Sequence, residues 1–93
     1  MRVNVLRLHQ DDNVVTAIRE LQPGDQLRAE QSLPEIRARQ PIPFGHKVAI
    51  RPIAKGEHVI KYGASIGIAT ADIAIGEHVH VHNLASVRGE ATR

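Results

Sequence analysis

With 93 residues the chain has the length of a single domain with a small core, and only Phe44 and Tyr62 supply aromatic surface, so β-branched packing dominates and the stacking platform of single-stranded nucleic-acid binders is missing. The net charge of +2 is the balance of 12 basic and 10 acidic side chains interspersed along the chain, which leaves no basic stripe for nucleic acid but is compatible with an acidic small molecule. Without cysteine, the chain holds no disulfide, no thiolate metal site and no cysteine-bound iron–sulfur cluster.

The start, Met1-Arg2-Val3-Asn4-Val5, lacks the long apolar stretch and small-residue cleavage site of an export signal, and no apolar run reaches the ~18 residues of a membrane span. A cytoplasmic chain with no membrane partner is the expectation. Val3 to His9 read as a short strand, and Gln10-Asp11-Asp12-Asn13 as turn chemistry, with Asp12 and Asn13 as turn or cap residues. Val14 to Ile18 fit either a strand or a helix capped by Asp12 or Asn13, because Val14, Val15, Ile18 and Leu21 also match helical spacing. From Pro23 to Pro43 the chain is polar and proline-rich, which predicts loop with short extended pieces. Leu33-Pro34-Glu35-Ile36-Arg37 has room for one helical turn. Apolar stretches follow at Val48–Ile53, Val59–Tyr62, Ile66–Ala69 and Val79–Leu84, broken at glycines. In the last of these, His78-Val79-His80-Val81-His82 alternates, so a continuous strand would set three imidazoles on one face. The domain is expected to span residues 1–84, with 85–93 as a flexible tail.

A repeat organises this pattern. Ile53-Ala54-Lys55-Gly56-Glu57-His58-Val59 returns as Ile73-Ala74-Ile75-Gly76-Glu77-His78-Val79, and Leu21-Gln22-Pro23-Gly24-Asp25-Gln26-Leu27 is a fainter copy. Each places a glycine before an acidic residue between apolar positions, as a tight reversal between short strands requires. The equivalence of Glu57 with Glu77, and of His58 with His78, argues for a structural role of all four.

At Gly45-His46-Lys47-Val48-Ala49, Val59-Ile60-Lys61-Tyr62-Gly63, Ile66-Gly67, Ala71-Asp72-Ile73 and Gly76-Glu77-His78-Val79-His80-Val81-His82-Asn83, the chain resembles the N-terminal domain of the altronate and galactarate dehydratase family. Leu8-His9-Gln10-Asp11-Asp12-Asn13-Val14 matches the family's opening, so the resemblance runs up to about Leu84. It implies a mostly-β fold, a small SAF-type β-clip domain with short strands and tight Gly-Glu turns. In the family this domain precedes a much larger one, while in sulfolactate sulfo-lyases the two are separate polypeptides. Starting with methionine and ending just past the usual domain boundary, the chain is expected to be a free-standing small subunit of a hydroxy-acid lyase, inactive without its large dehydratase or lyase subunit.

Elimination from a hydroxy acid needs a base, an acid for the leaving group and neutralisation of the carboxylate. The resemblance implies a divalent metal, iron or manganese, shared with the large subunit. Candidates for these roles fall into three clusters, Gly45-His46-Lys47, Lys61-Tyr62-Gly63 and His80-Val81-His82-Asn83. His46 and Lys47 are the candidate catalytic pair, with Lys47 suited to a carboxylate and His46 to proton transfer near neutral pH. Lys61, Tyr62 and Asn83 are the candidate substrate-binding residues, Tyr62 being equally an aromatic anchor. His80 and His82 are the candidate metal ligands, since strand spacing would put them roughly 7 Å apart on one face. The competing expectation is a non-catalytic SAF-type binding or regulatory module, and exposed strand edges leave homo-oligomerisation open.

Overall fold

One local device, used four times, builds this chain. The structure, a computed structural model, describes residues 2–86. In the three copies legible in the sequence, Gly24, Gly56 and Gly76 have φ of +92°, +90° and +87°, the left-handed conformation that the third position of a type II turn demands. Asp25, Glu57 and Glu77 each donate a backbone N–H to the carbonyl three residues earlier, at 3.0, 2.9 and 3.0 Å. Their carboxylates reciprocate by accepting from the N–H of Gln22, Ala54 and Ala74, at 2.8, 2.7 and 2.8 Å. The acid after the glycine is thus a lock on its own turn.

The fourth copy is Ile42-Pro43-Phe44-Gly45-His46-Lys47-Val48, with Gly45 at φ +86° and the same bond from His46 N–H to the Pro43 carbonyl at 3.0 Å. Here the lock has no substrate, because Pro43 has no N–H to donate. The position held by an acid elsewhere is therefore free of that duty, and His46 occupies it.

The apolar ends of all four units, Leu21 and Leu27, Ile42 and Val48, Ile53 and Val59, Ile73 and Val79, are at most 2% exposed. Burying each such side chain is worth about 1.5–3 kcal/mol, so the repeat is also the main source of core. The units pair through their first residues: Leu21 and Ile42 exchange backbone bonds of 2.9 and 2.9 Å, Ile53 and Ile73 bonds of 2.9 and 2.7 Å. One pair packs with Val5, Val15 and Ala17, the other with Val14, Ala49 and Ala69, giving two adjoining cores.

Seven short strands connect the turns: β1 (Val5–Leu6), β2 (Val14–Ala17), β3 (Lys47–Ala49), β4 (His58–Lys61), β5 (Ala64–Ala69), β6 (His78–Val79) and β7 (Leu84–Ala85). They form a four-stranded sheet in the order β1-β2-β3-β6 and a three-stranded sheet in the order β4-β5-β7, antiparallel throughout. Alternation along β2 sends Val15 to one core and Val14 to the other, so this sheet divides the two. Asn13 ties the sheets together, its amide donating to the His58 carbonyl at 3.0 Å and accepting from Ile60 N–H at 2.8 Å.

The mostly-β expectation agrees with these elements, one open alternative is decided and two local expectations are corrected. Val14–Ala17 is strand, not helix, because both faces of the segment are claimed by cores. Leu33–Arg37 forms no helical turn; Ile36 is buried, its carbonyl accepts Leu27 N–H at 2.8 Å, and Arg37 bridges Gln26, so pairing overrides local propensity. The expected strand over Val79–Leu84 ends at Val79, and residues 80–83 form a turn before β7. Among the described residues there is no helix, and hence none long and apolar enough to cross a membrane. Of the expected tail, Ala85 pairs with Ile68 in β7, and residues 87–93 lie outside the described residues.

Candidate functional site

The β3–β6 ladder brings two of the sequence clusters together. Val48 stands opposite His78 and Lys47 opposite Val79, so one step beyond the ladder His46 faces His80. Side chains at 46, 78 and 80 then share one face, and their rings form a stack. The His46 and His80 rings are 3.9 Å apart at 14°, those of His46 and His78 5.1 Å apart at 20°. His46 Nδ1 lies 2.9 Å from His78 Nε2, and one nitrogen from each of the three rings falls within 4.8 Å of the others. His82 approaches from the turn, its ring 5.1 Å from that of His78 and tilted 38°.

Burial and neighbouring charge lower the pKa of two of these rings. Burial, then the neighbouring charges of His82, His46, His80 and Lys47, pulls His78 down from 6.5 to about 4. His80 is lowered in the same sense by partial burial, then by His46, Lys47 and His82. At neutral pH these two rings are neutral and present lone pairs, the state needed for a metal ligand or a proton acceptor. Three imidazoles without a carboxylate suit a divalent transition ion, and the donor set fits such an ion on chemistry alone.

Lys47 projects from the opposite face of β3 and is half-buried, with its pKa lowered by burial first and the charge of Lys61 second. The ion pairs among the described residues are His9 with Asp11 and Arg37 with Glu35, so no carboxylate of the described residues pairs with either lysine. An anion that reached both ammonium groups would relieve this repulsion. The Lys61 ammonium also sits 5.1 Å from the centroid of Tyr62.

Tyr62 heads the two-residue turn between β4 and β5, with φ +59° followed by +72° at Gly63, the mirror-image geometry of a tight hairpin. A tyrosine at positive φ is strained, and the strain is held by Asp12. This fully buried carboxylate accepts Tyr62 N–H at 3.2 Å and Gly63 N–H at 2.8 Å. The ring of Tyr62 itself is 65% exposed, so it presents an aromatic surface outward instead of filling a core.

Asn83 is 3% exposed and its amide is bound to backbone: Oδ1 accepts His80 N–H at 2.9 Å and Nδ2 donates to the His78 carbonyl at 2.9 Å. It therefore fixes the turn carrying two of the three clustered rings. Gln40 adds a third hold, accepting His78 N–H at 2.8 Å. The structure thus gathers His46 and His80 from the sequence candidates, sets Lys47 and Lys61 near one another, places His82 at the margin and Asn83 beneath. It also adds His78, which sequence reasoning set aside as the repeat equivalent of His58. The two are equivalent in the turn and not in surroundings, since His58 Nδ1 lies 2.7 Å from Ser65 Oγ at an exposed edge. A signal for His78 was available in the alternation His78, His80, His82, which is absent after His58.

Comparison with known proteins matches these features to one family. Residues 3–87 fit the model of the altronate/galactarate dehydratase SAF domain. Over 78 residues, 84% of this chain, it is 42% identical to an altronate dehydratase of Bacillus subtilis and 45% identical to one of Escherichia coli, covering 15% of each. It is 48% identical over 54 residues to the (2R)-sulfolactate sulfo-lyase subunit alpha of Chromohalobacter salexigens, which covers 58% of this chain and 57% of that one. The chain thus spans a small part of the dehydratases and just over half of the alpha subunit. The match over nearly its whole length makes the chain a member of the altronate/galactarate dehydratase SAF domain family.

Proposed function

We propose that this chain is the small subunit of a hydroxy-acid lyase, which eliminates water or a related group from a sugar acid or sulfolactate together with a separate large catalytic subunit. The observation that carries the reading is the convergence of His46, His78 and His80, with the charge of Lys47 acting on His78 and His80, in a fold whose relatives are named as dehydratases and as a sulfo-lyase subunit. In this reading Lys47 and Lys61 hold the substrate carboxylate, Tyr62 borders the substrate from its exposed turn, and Asn83 holds the His78–His80 backbone. His46 is the proton-transfer candidate. A divalent ion, iron or manganese, shared with the large subunit, would add charge neutralisation at the carboxylate, with His80 and His82 offered from this side.

A separate partner is favoured by the openness of the site. Phe44, two residues before His46, is 71% exposed, and Val81, next to His80, is 82% exposed. Elimination requires a water-excluding enclosure, and these flanking apolar side chains are suited to being covered by another chain. The reading places the complex in the cytoplasm. A second reading, a SAF-type binding or regulatory module without chemistry of its own, is favoured by that same exposure. Affinity purification from the native source, followed by assay of the recovered complex against altronate, galactarate and sulfolactate, separates the two. The small-subunit reading expects a large dehydratase-like chain in the complex, turnover that falls at least ~100-fold in Lys47→Ala, and none from this chain alone. Full activity of the complex with Lys47→Ala and His46→Ala would favour the module.

A further inference from the structure

We infer that His46, His78 and His80 form a three-nitrogen site, complete on this chain alone, for a divalent transition-metal ion of the iron-to-zinc class. This goes beyond the lyase reading, does not depend on it, and changes the expected ligand set: His46 and His78 join His80, and His82 stands outside.

The first argument is distance. Ligand bonds of about 2.0–2.1 Å place nitrogens around one ion roughly 3.0–3.4 Å apart, depending on octahedral or tetrahedral geometry. The closest ring nitrogens of His46 and His78 are already 2.9 Å apart, and the three donor atoms all lie within 4.8 Å of one another. Closing the widest gap takes a shift of about 1.5 Å, within reach of small side-chain rotations. Two ring nitrogens at 2.9 Å cannot both present bare lone pairs; a proton or a cation must lie between them. A metal ion would take the place of that proton and satisfy all three rings together.

The second argument is preorganisation. His46 follows a glycine turn fixed at both ends, with Gly45 N–H on the Ala17 carbonyl at 2.8 Å and His46 N–H on the Pro43 carbonyl at 3.0 Å. His78 and His80 are held through their backbone by Gln40 and Asn83. Among the described residues His82 has no comparable hold, and its ring is tilted 38° from that of His78. Ligands on a braced backbone lose little freedom when an ion binds.

The donor chemistry selects the ion. Three imidazoles with no carboxylate among them favour Fe2+, Co2+, Ni2+, Cu2+ and Zn2+, and the order of stability rises from manganese toward copper. Mg2+ and Ca2+ demand oxygen ligands and are excluded, and Mn2+ is the weakest of the transition ions. Because the cluster lies at the surface, the remaining coordination positions face outward, open to oxygen ligands of a substrate. Binding would also commit His46 to the ion, leaving proton transfer to another group.

The test uses the untagged full chain without partner or substrate, so its outcome is independent of any lyase assay. Calorimetry with Zn2+ and Ni2+ and visible absorption of Co2+ are expected to show one ion per chain, undisturbed by millimolar Mg2+ or Ca2+. His46→Ala, His78→Ala and His80→Ala should each weaken Zn2+ binding at least ~10-fold and by more than His82→Ala does, while His58→Ala stays near wild type. Since an alanine variant can disturb the turn, Co2+ is also titrated into the wild-type chain and followed by NMR. Imidazole signals of His46, His78 and His80 should shift or broaden before that of His82. No stoichiometric binding by the wild type, loss of binding in His82→Ala with retention in His78→Ala, or broadening that begins at His82 would each overturn the assignment.

Discussion

Replacing Asn83 separates a residue that builds the site from one that touches substrate. In Asn83→Ala the His80 N–H and the His78 carbonyl lose partners at 2.9 Å each, in a place where the side chain is 3% exposed. A buried polar group left unsatisfied costs about 1–3 kcal/mol; since the turn can admit water to part of the vacated space, the two together should cost about 2–4 kcal/mol. For a domain of this size that lowers Tm by roughly 10–20 °C. Asn83→Asp keeps the acceptor for His80 but points an anionic oxygen at the His78 carbonyl, so it should be no more stable than the alanine variant. Urea denaturation followed by circular dichroism measures both, and nearest-neighbour effects on the cluster are read from the imidazole NMR signals of His78 and His80. If Asn83→Ala unfolded within 0.5 kcal/mol of wild type (roughly the scatter of surface substitutions) and left those signals unmoved, the positioning argument would be refuted. A substrate-contacting role would then be the better account.

Three further outcomes follow from particular geometries. Gly56→Ala and Gly76→Ala share the same left-handed φ, but a Cβ at 56 meets open space whereas one at 76 collides with the Arg37 carbonyl oxygen; the first should cost about 1–2 kcal/mol and the second clearly more by chemical denaturation. Asp12→Ala should cost about 3 kcal/mol and release Tyr62 from positive φ, seen as a changed coupling constant at Tyr62, because it strips the carboxylate from two hairpin N–H groups. His78 has a folded pKa of about 4 against 6.5 unfolded, so its contribution is fully present above pH 6.5 and is lost as pH falls from there toward 4, the unfolded chain taking up a proton the folded ring refuses. The full linkage would be about 3 kcal/mol, which solvent screening of a partly exposed ring reduces to about 1, and an NMR titration of His78 with its midpoint near 6.5 would contradict it.

Much of the fold was legible because its signals are local. Glycine before an acid between apolar residues identifies a turn whose glycine, carboxylate and flanking core residues all act within seven positions, and Gly24, Gly56 and Gly76 behave alike. What escaped is set by long-range pairing. Leu33–Arg37 looks helical by itself, yet pairs with Gln26 and Leu27. The stretch after Val79 alternates like a strand, yet Asn83 folds it into a turn by binding backbone at 78 and 80. Candidates His46, beside a glycine, and His80, in an alternating run, were visible as residue types, but their meeting depends on the register of β3 against β6, and no pattern within either segment encodes that register. Repeat equivalence misdirected the reading of His78 for the same reason: the repeat specifies its turn and is silent on which strand it faces.

The fourth copy explains why the side chain after the glycine is available at this edge and consumed in the other three turns. In every unit the residue after the glycine is presented at the same place by the same backbone bond, and in three of them its carboxylate is consumed by the N–H three residues back. Proline at position 43 removes that N–H, so an acid there would have nothing local to bind and would stand as a free negative charge over His78 and His80. Histidine in that position converts a structural lock into an available ring at no cost to the turn, which keeps its glycine and its His46-to-Pro43 bond. The antiparallel register then carries that ring to the end of the 73–79 unit, whose own glutamate lock remains intact and whose histidine lies two residues before His80. One unit gives up its lock while the facing unit keeps its own, and so a rigid turn is built opposite a chemically free one. That asymmetry, produced by a single proline in a repeated scaffold, is the physical origin of the cluster.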